Sequence, residues 1–250
     1  MNRIALLPLA LSFAACMSSS TPTRAQYDDT AQAIASTTAT SGGGGDVGSM
    51  ADSVTIAQGV MPTGFTLMGD GHFKGTHLGL DYSYTIVCKG LAGAVGACGP
   101  TTDQASVDVA WSGSLSTTYV DAGVERSGAW SITGLQSDTA TFTGNGTFSF
   151  DATVRSVFRP GATATYSFDA SAAYNAIRIS TQQRQVIDGS ASFDLSAHAQ
   201  VSGTNHDSEA TFDIHAKITF HADHTADLVL DGSQHYSLDL TTGAVVRVGA

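Results

Sequence analysis

The sequence predicts an all-β domain that folds as an antiparallel meander, and two observations predict it. Apolar and polar residues alternate with a period of two over long stretches of the C-terminal half, as in strands that bury one face. Strong helix formers are scarce, because Glu occurs only at Glu125 and Glu209, whereas Gly, Thr and Ser are abundant. The pattern leaves open whether the strands form one curved sheet, a barrel or a sandwich.

Residues 1–15 have the features of an export signal. Arg3 precedes an apolar run from Ile4 to Leu11, and small residues follow up to Cys16. A run of this length is too short to span a bilayer, which takes about 20 apolar residues. The segment therefore predicts export from the cytoplasm rather than a transmembrane helix.

The last residues of this segment, Phe13-Ala14-Ala15-Cys16, resemble the lipobox of bacterial lipoprotein precursors, with Phe13 in the place of the usual Leu. No family is recognised for the rest of the chain. The resemblance implies that Cys16 carries acyl chains such as palmitate and becomes the first residue of the mature protein. It also implies an outer-membrane lipoprotein facing the periplasm or the surface, because Met17 follows the cysteine. The alternative is ordinary cleavage after Ala15.

Residues 16–50 predict a flexible tether. They are mostly Ser, Thr, Ala and Gly with few apolar side chains, so they bury too little surface to fold. A helix over residues 26–36 would be marginal, since so short a helix is barely stable alone in water. Residues 51–250 then form a single antiparallel β domain.

Cys88 and Cys98 are the only other cysteines of the chain. Exported proteins fold in an oxidising compartment, so we expect the two to form a disulfide. The bond would close a loop of Gly and Ala residues, which have no side chains to hold the loop in place. Their spacing matches neither a redox motif nor a zinc site.

The register of the C-terminal strands follows from the apolar face. The even residues from Ala210 to Phe220 are apolar, and the same phase continues through three shorter strands up to Val248. Apolar residues must pair with apolar residues across each hairpin. The predicted pairs are Phe220 with Ala226, Leu230 with Tyr236, and Leu240 with Ala244.

This register aligns His215, Asp231 and His235 on the polar face, with Ser196 beside them if Val201 opposes Ala210. The preferred interpretation of the row is a solvated polar face. His215, Asp231 and His235 are also candidate ligands for a divalent metal ion, because imidazole suits zinc, copper or nickel. Ser196, His215 and Asp231 have the residue types of a hydrolase triad, although no glycine elbow or oxyanion-hole donor accompanies them.

Several function classes are disfavoured by composition and motifs. A net charge of −11 argues against a nucleic-acid partner. The chain has no dinucleotide- or phosphate-binding motif, so no cofactor is expected. His72 and His77 with Met61 and Met68 have spacing too irregular for a soft-metal site.

The function predicted from the sequence is that of an envelope-anchored lipoprotein whose β domain is a non-catalytic binding or structural module. Its expected partners are the membrane, through the N-terminal lipid, and an unidentified protein or apolar small molecule. One alternative is a metal-binding protein or hydrolase that uses the His/Asp row. Another is a carrier that holds an apolar ligand or lipid inside a closed sheet, among inward aromatic residues: Phe142, Phe150, Tyr166, Phe168, Phe193, Phe212 and Phe220.

Overall fold

The structure is a computed structural model that describes residues 20–39, 45–77, 79–93, 95–201 and 208–249. Two helices precede thirteen strands. The helices are α1 (Arg24–Thr38) and α2 (Asp46–Ala57). The strands are β1 (Phe65–Gly69), β2 (His72–His77), β3 (Leu80–Gly90), β4 (Val95–Gly96), β5 (Thr102–Ser116), β6 (Val120–Thr133), β7 (Thr139–Arg155), β8 (Thr163–Ser180), β9 (Val186–Val201), β10 (Ser208–Phe220), β11 (Thr225–Leu230), β12 (Gln234–Asp239) and β13 (Val245–Arg247).

All the strands belong to one antiparallel sheet, which confirms the predicted meander. Its order is β1-β2-β3-β5-β6-β7-β8-β9-β10-β11-β12-β13, and β4 pairs only with β3. Buried and exposed side chains alternate along the long central strands, so one face is apolar and the other faces solvent. The end strands β1 and β13 are not hydrogen-bonded to each other, and the sheet is therefore open.

Both helices lie on the concave, apolar face of the sheet. Every residue of α1 from Asp28 to Thr38 is buried, so the helix is covered on all sides. It packs on β6 and β7 and also on β11, β12 and β13, which are far from them in the strand order. The sheet must therefore curve around α1. The second helix packs on β3 and β5.

The concave face is filled by the chain itself. The seven aromatic residues proposed to surround a ligand are all buried, and they belong to one core with residues of α1 and α2. The helices thus occupy the space in which the carrier hypothesis places a ligand.

The prediction of a flexible tether over residues 16–50 is wrong for the part of this segment that the structure describes. Residues 24–38 and 46–50 are helical and largely buried, although their composition is too polar to fold alone. The reason is tertiary: the sheet supplies the apolar surface and the hydrogen-bond partners that these segments lack. The signal segment, Cys16 and residues 40–44 lie outside the described residues.

The predicted register holds for β10–β11 but is shifted by two residues for β11–β12. The turn between β11 and β12 has three residues, because Asp231 and Gly232 take left-handed backbone angles (φ 46° and 67°). Leu230 therefore does not face Tyr236. The observed partners are Phe220 with Ala226, Leu228 with Tyr236, and Leu230 with Gln234.

The last strand has the opposite phase to the one predicted. Leu238 pairs with Val245, so six residues separate the partners where the prediction used an odd number. Val245 is buried and Val246 is 63% exposed. The longer turn is stabilised by Asp239, whose side chain accepts the N–H groups of the two residues after Leu240.

Candidate functional site

The predicted polar row on the outer face is present in part. His215 of β10 lies between Asp194 of β9 and Asp231 at the β11–β12 turn. The ring atom Nδ1 of His215 is 2.8 Å from Asp194 Oδ1. The backbone N–H of His215 donates to Asp231 Oδ1 over 2.8 Å. The hydroxyl of Tyr27 in α1 donates to Asp231 Oδ2 over 2.7 Å. Burial, together with the hydrogen bond to Asp231, raises the pKa of Tyr27 to about 12. The row therefore fastens α1 to the sheet.

His235 does not join His215 and Asp231. It lies on β12 opposite Val229, because the preceding turn is two residues shorter than predicted. The structure thus does not bring the three predicted metal ligands together. Within the described ranges, no three His, Cys, Asp or Glu side chains are grouped so that they could hold a metal ion.

Ser196 is also displaced from the predicted row. Ala199, rather than Val201, opposes Ala210, so Ser196 faces Asp213 while His215 faces Asp194. Ser196 is thus a diagonal rather than a direct neighbour of His215, whose Nδ1 contacts Asp194 instead. The arrangement gives no support to a Ser-His-Asp triad.

The outer face around this row forms a broad polar groove of about 950 Å³. Hydroxyl groups line it together with five carboxylates, those of Glu125, Asp169, Asp194, Asp213 and Asp231. His215 and Asp194 have side chains that are 58% and 78% exposed, and an exposed ion pair of this kind contributes about 0–1 kcal/mol. The groove is a solvated acidic surface, in line with the preferred interpretation of the row.

A second groove, of about 520 Å³, lies at the β1 edge of the sheet and is apolar. The loop after α2, the β1–β2 turn, the end of β3 and the short β4 form its walls. Its lining residues are Ile56, Gly59, Val60, Met61, Leu67, Asp70, Gly71, Phe73, Ile86, Val87, Val95, Gly96, Ala97 and Cys98.

Exposed apolar side chains are concentrated at this groove. Seven of the ten large apolar side chains that are exposed in the described part of the chain line it or lie on the segments that form it. They are Val60 (53%), Met61 (43%), Leu67 (52%), Met68 (65%), Val87 (43%), Leu91 (79%) and Val95 (68%). Five of them, Val60, Met61, Leu67, Val87 and Val95, line the groove itself, and exposed apolar side chains grouped in this way mark an interaction site.

Backbone contacts and a disulfide hold the walls of the groove. The Ile86 N–H donates to the Gly71 carbonyl over 2.9 Å, which fixes the β1–β2 turn against β3. The predicted disulfide joins Cys88 and Cys98, whose Cα atoms are 5.2 Å apart, and so ties the β4 segment to β3. Closing a loop of about ten residues contributes roughly 2–3 kcal/mol in the chain-entropy model.

The floor of the groove is closed by the end of α2. Gly59 has φ 83°, and a Cβ at this position would lie 2.8 Å from the Cα of Gly99. The Gly99 N–H donates to the Ala57 carbonyl over 3.2 Å. Glycine at position 59 thus allows the helix to end directly against the segment that follows the disulfide.

The inner face carries three acid–tyrosine–arginine units that sequence reasoning missed, and in each of them the Asp and the Tyr are buried. In each unit an Asp of a helix accepts a hydrogen bond from a Tyr and pairs with an Arg. The units are Asp28 with Tyr236 and Arg247, Asp29 with Tyr166 and Arg159, and Asp46 with Tyr174 and Arg126. Burial, followed by the nearby Asp charge, raises the pKa of each Tyr, so the hydroxyls remain donors at neutral pH. These units hold the helices in place.

Comparisons of the chain with protein-family models, with curated proteins and with solved structures found no match. Neither described helix is long and apolar enough to cross a membrane. The two grooves and the N-terminal motif are therefore the features of the chain that bear on its function.

Proposed function

We propose that this protein is a non-catalytic, lipid-anchored binding protein of the cell envelope, and that it binds an apolar ligand in the groove between β1, β3, β4 and the end of α2. The lipobox-like residues Phe13–Cys16 support the anchor. The groove supports the binding activity. The ligand therefore lies at the edge of the sheet, whereas the carrier hypothesis places it inside a closed sheet.

The single observation that carries the proposal is the concentration of solvent-exposed apolar side chains at the groove. Such a surface stays exposed at a cost, since burying apolar area is favourable by about 25 cal/mol per Å². A ligand that covers Leu67, Val87 and Val95 would recover that free energy. The volume of about 520 Å³ lies within the range of small-molecule sites, which is roughly 300–1,000 Å³.

The lining of the groove favours binding over catalysis. Among the described residues that line it, Asp70 alone is ionisable, because Cys98 is held in the disulfide. Nucleophilic catalysis requires a nucleophile that lies within hydrogen-bond reach of an activating base. A single carboxylate at the rim gives no such pair.

Titration with a neutral apolar fluorophore, N-phenyl-1-naphthylamine, tests the binding site. The chain with Cys16→Ser lacks the lipid acceptor and needs no detergent. We expect saturable fluorescence enhancement, which Leu67→Asp weakens at least about tenfold because it places a charge in the apolar lining. Val246→Asp is the matched control, since Val246 is 63% exposed against 52% for Leu67 but lies on β13. Absence of binding, or equal binding by the Leu67 variant, would overturn the proposal.

Fractionation of cells tests the anchor. The wild-type protein should be recovered with the membranes, and Cys16→Ser should be recovered in the soluble envelope fraction, because stable anchoring requires the acyl chains. Membrane association that survives the substitution would contradict the lipid anchor and leave the groove proposal untouched.

A further inference from the structure

We infer that the ligand of the apolar groove is a single-chain amphiphile with an anionic head group, such as a fatty acid, and that Lys89 binds the head group. This inference rests on the proposed function. It names the class of ligand and the residue that determines specificity.

Lys89 is placed beside the groove by the register of β3. It pairs directly with Val95 of β4 and lies two residues after Val87, on the same outer face. Val87 and Val95 both line the groove. Lys89 is not itself a lining residue, but directly opposed residues have Cβ atoms about 4.5–5.5 Å apart, so its long side chain starts beside the groove and is long enough to reach a ligand's head group there.

Within the part of the chain that the structure describes, the ammonium group of Lys89 forms no ion pair. Five arginines of the described chain form ion pairs with Asp side chains, whereas no carboxylate of the described residues lies within 4.0 Å of the half-buried Lys89. Its neighbour on β5 is Gln104, which is uncharged. In a chain with a net charge of −11, an uncompensated ammonium at the mouth of an apolar groove is complementary to an anion.

The acidic residue of the rim orients the ligand. Asp70 lies in the β1–β2 turn, which contacts β3 at Ile86. Lys89 is three residues further along β3, or about 10 Å at 3.4 Å per residue. An anionic head group is repelled at Asp70 and attracted at Lys89, so the alkyl chain lies between them along Val87 and Val95. A cationic head group would take the opposite orientation.

Calorimetric titration of the Cys16→Ser chain with three ligands of equal chain length tests the inference. These are palmitate and hexadecyltrimethylammonium, each below its micellar concentration, and hexadecanol, which forms no micelles, below its solubility limit. We expect palmitate to bind at least about tenfold more tightly than hexadecanol, the gain typical of a charge-assisted hydrogen bond. Lys89→Met should abolish this difference and leave hexadecanol binding unchanged. Lys217→Met on the distant β10 is the control and should change neither affinity.

The outcomes separate this inference from the proposed function. If palmitate and hexadecanol bind equally, if the cation binds best, or if Lys89→Met leaves palmitate binding intact, the role of Lys89 is wrong while the groove remains a binding site. If no alkyl chain binds but an extended apolar peptide displaces N-phenyl-1-naphthylamine, the ligand class is wrong. If neither the alkyl chains nor that fluorophore binds, the proposed function fails as well.

Discussion

At the scale of single residues, Arg126 shows how this sheet accommodates charge in its core. It is 2% exposed, and its guanidinium donates to Asp46 of α2 over 2.8 Å and to the Thr147 carbonyl over 3.0 Å. The side chain fits because Gly146 faces it from β7, where a Cβ would overlap the guanidinium. Tyr174 donates to the same Asp46 carboxylate. Every charge in this unit is therefore paired.

The unit predicts a large cost when Asp46 is removed. Asp46→Ala leaves the guanidinium of Arg126 buried without its counterion, and breaking a buried pair in this way costs about 3–5 kcal/mol. Asp188→Ala is the matched control, because its partner Arg178 is 49% exposed on the outer face and the loss of stability should be much smaller. Urea denaturation of both variants measures the difference. Similar values for the two would contradict the assigned role of the buried unit.

At the scale of elements, α1 is a helix whose sequence does not suggest burial. Small side chains and polar groups with partners allow it to pack: the Gln32 side chain donates to the Gly243 carbonyl over 3.2 Å, and Asp28 and Asp29 each have a Tyr and an Arg. One local signal was available in the sequence. Thr23 and Gln26 form a capping box at the helix start. That motif alone does not reveal the surface against which the helix packs.

The second helix predicts a pH dependence of stability through Asp52. Burial raises its pKa to about 6, partly offset by the charge of His77. Because this folded-state pKa lies above the unfolded value, ionised Asp52 is unfavourable in the folded state, and the penalty grows as the pH rises from about 4 to about 6. Asp52→Asn should therefore be more stable than wild type by roughly 1–3 kcal/mol at pH 7 and by little at pH 4.

Urea denaturation of the wild type and the Asp52 variant at several pH values measures this effect. The informative quantity is the difference in unfolding free energy between the two proteins, because the other titrating groups cancel in it. A difference that stays constant between pH 4 and pH 7 would show that burial does not shift this carboxyl group.

At the scale of the whole molecule, the sequence predicts the sheet but neither the helices on its inner face nor the groove at its edge. The alternation from Ala210 to Phe220 predicted β10 and its inward face, because one buried side of a strand imposes a period of two. Curvature and closure depend on contacts between distant strands, which no local pattern encodes. The metal row failed because a shift of two residues at the Asp231 turn moved His235 away from His215.

The apolar groove was harder to predict than the sheet. It combines residues from four separate segments, so no sequence motif describes it. One signal was present, in that Leu67 and Met68 are adjacent apolar residues and so point to opposite faces of β1. Both are exposed, which requires the edge position that only the strand order reveals.

Deletion of the N-terminal segment tests whether the helices are part of the core. Removing residues 17–50 deletes α1 and the first turn of α2, and exposes the inner face around Tyr166 and Tyr236, which contact α1. We expect loss of cooperative thermal unfolding and strong binding of a hydrophobic dye. Removing only residues 17–22, before the helix cap at Thr23, should shift the melting temperature little. If the longer deletion melts like wild type, the segment is a tether after all.

The most direct test of the central claim, that the ligand binds at the β1 edge, is a methyl NMR titration of the Cys16→Ser chain with N-phenyl-1-naphthylamine. The aromatic rings of the ligand shift the resonances of the methyl groups that they contact. We predict the largest shifts at Val60, Leu67, Val87 and Val95, with Val246 unchanged. Shifts centred on the buried inner-face residues Ile214 and Leu228 would contradict this site and place the ligand within the sheet.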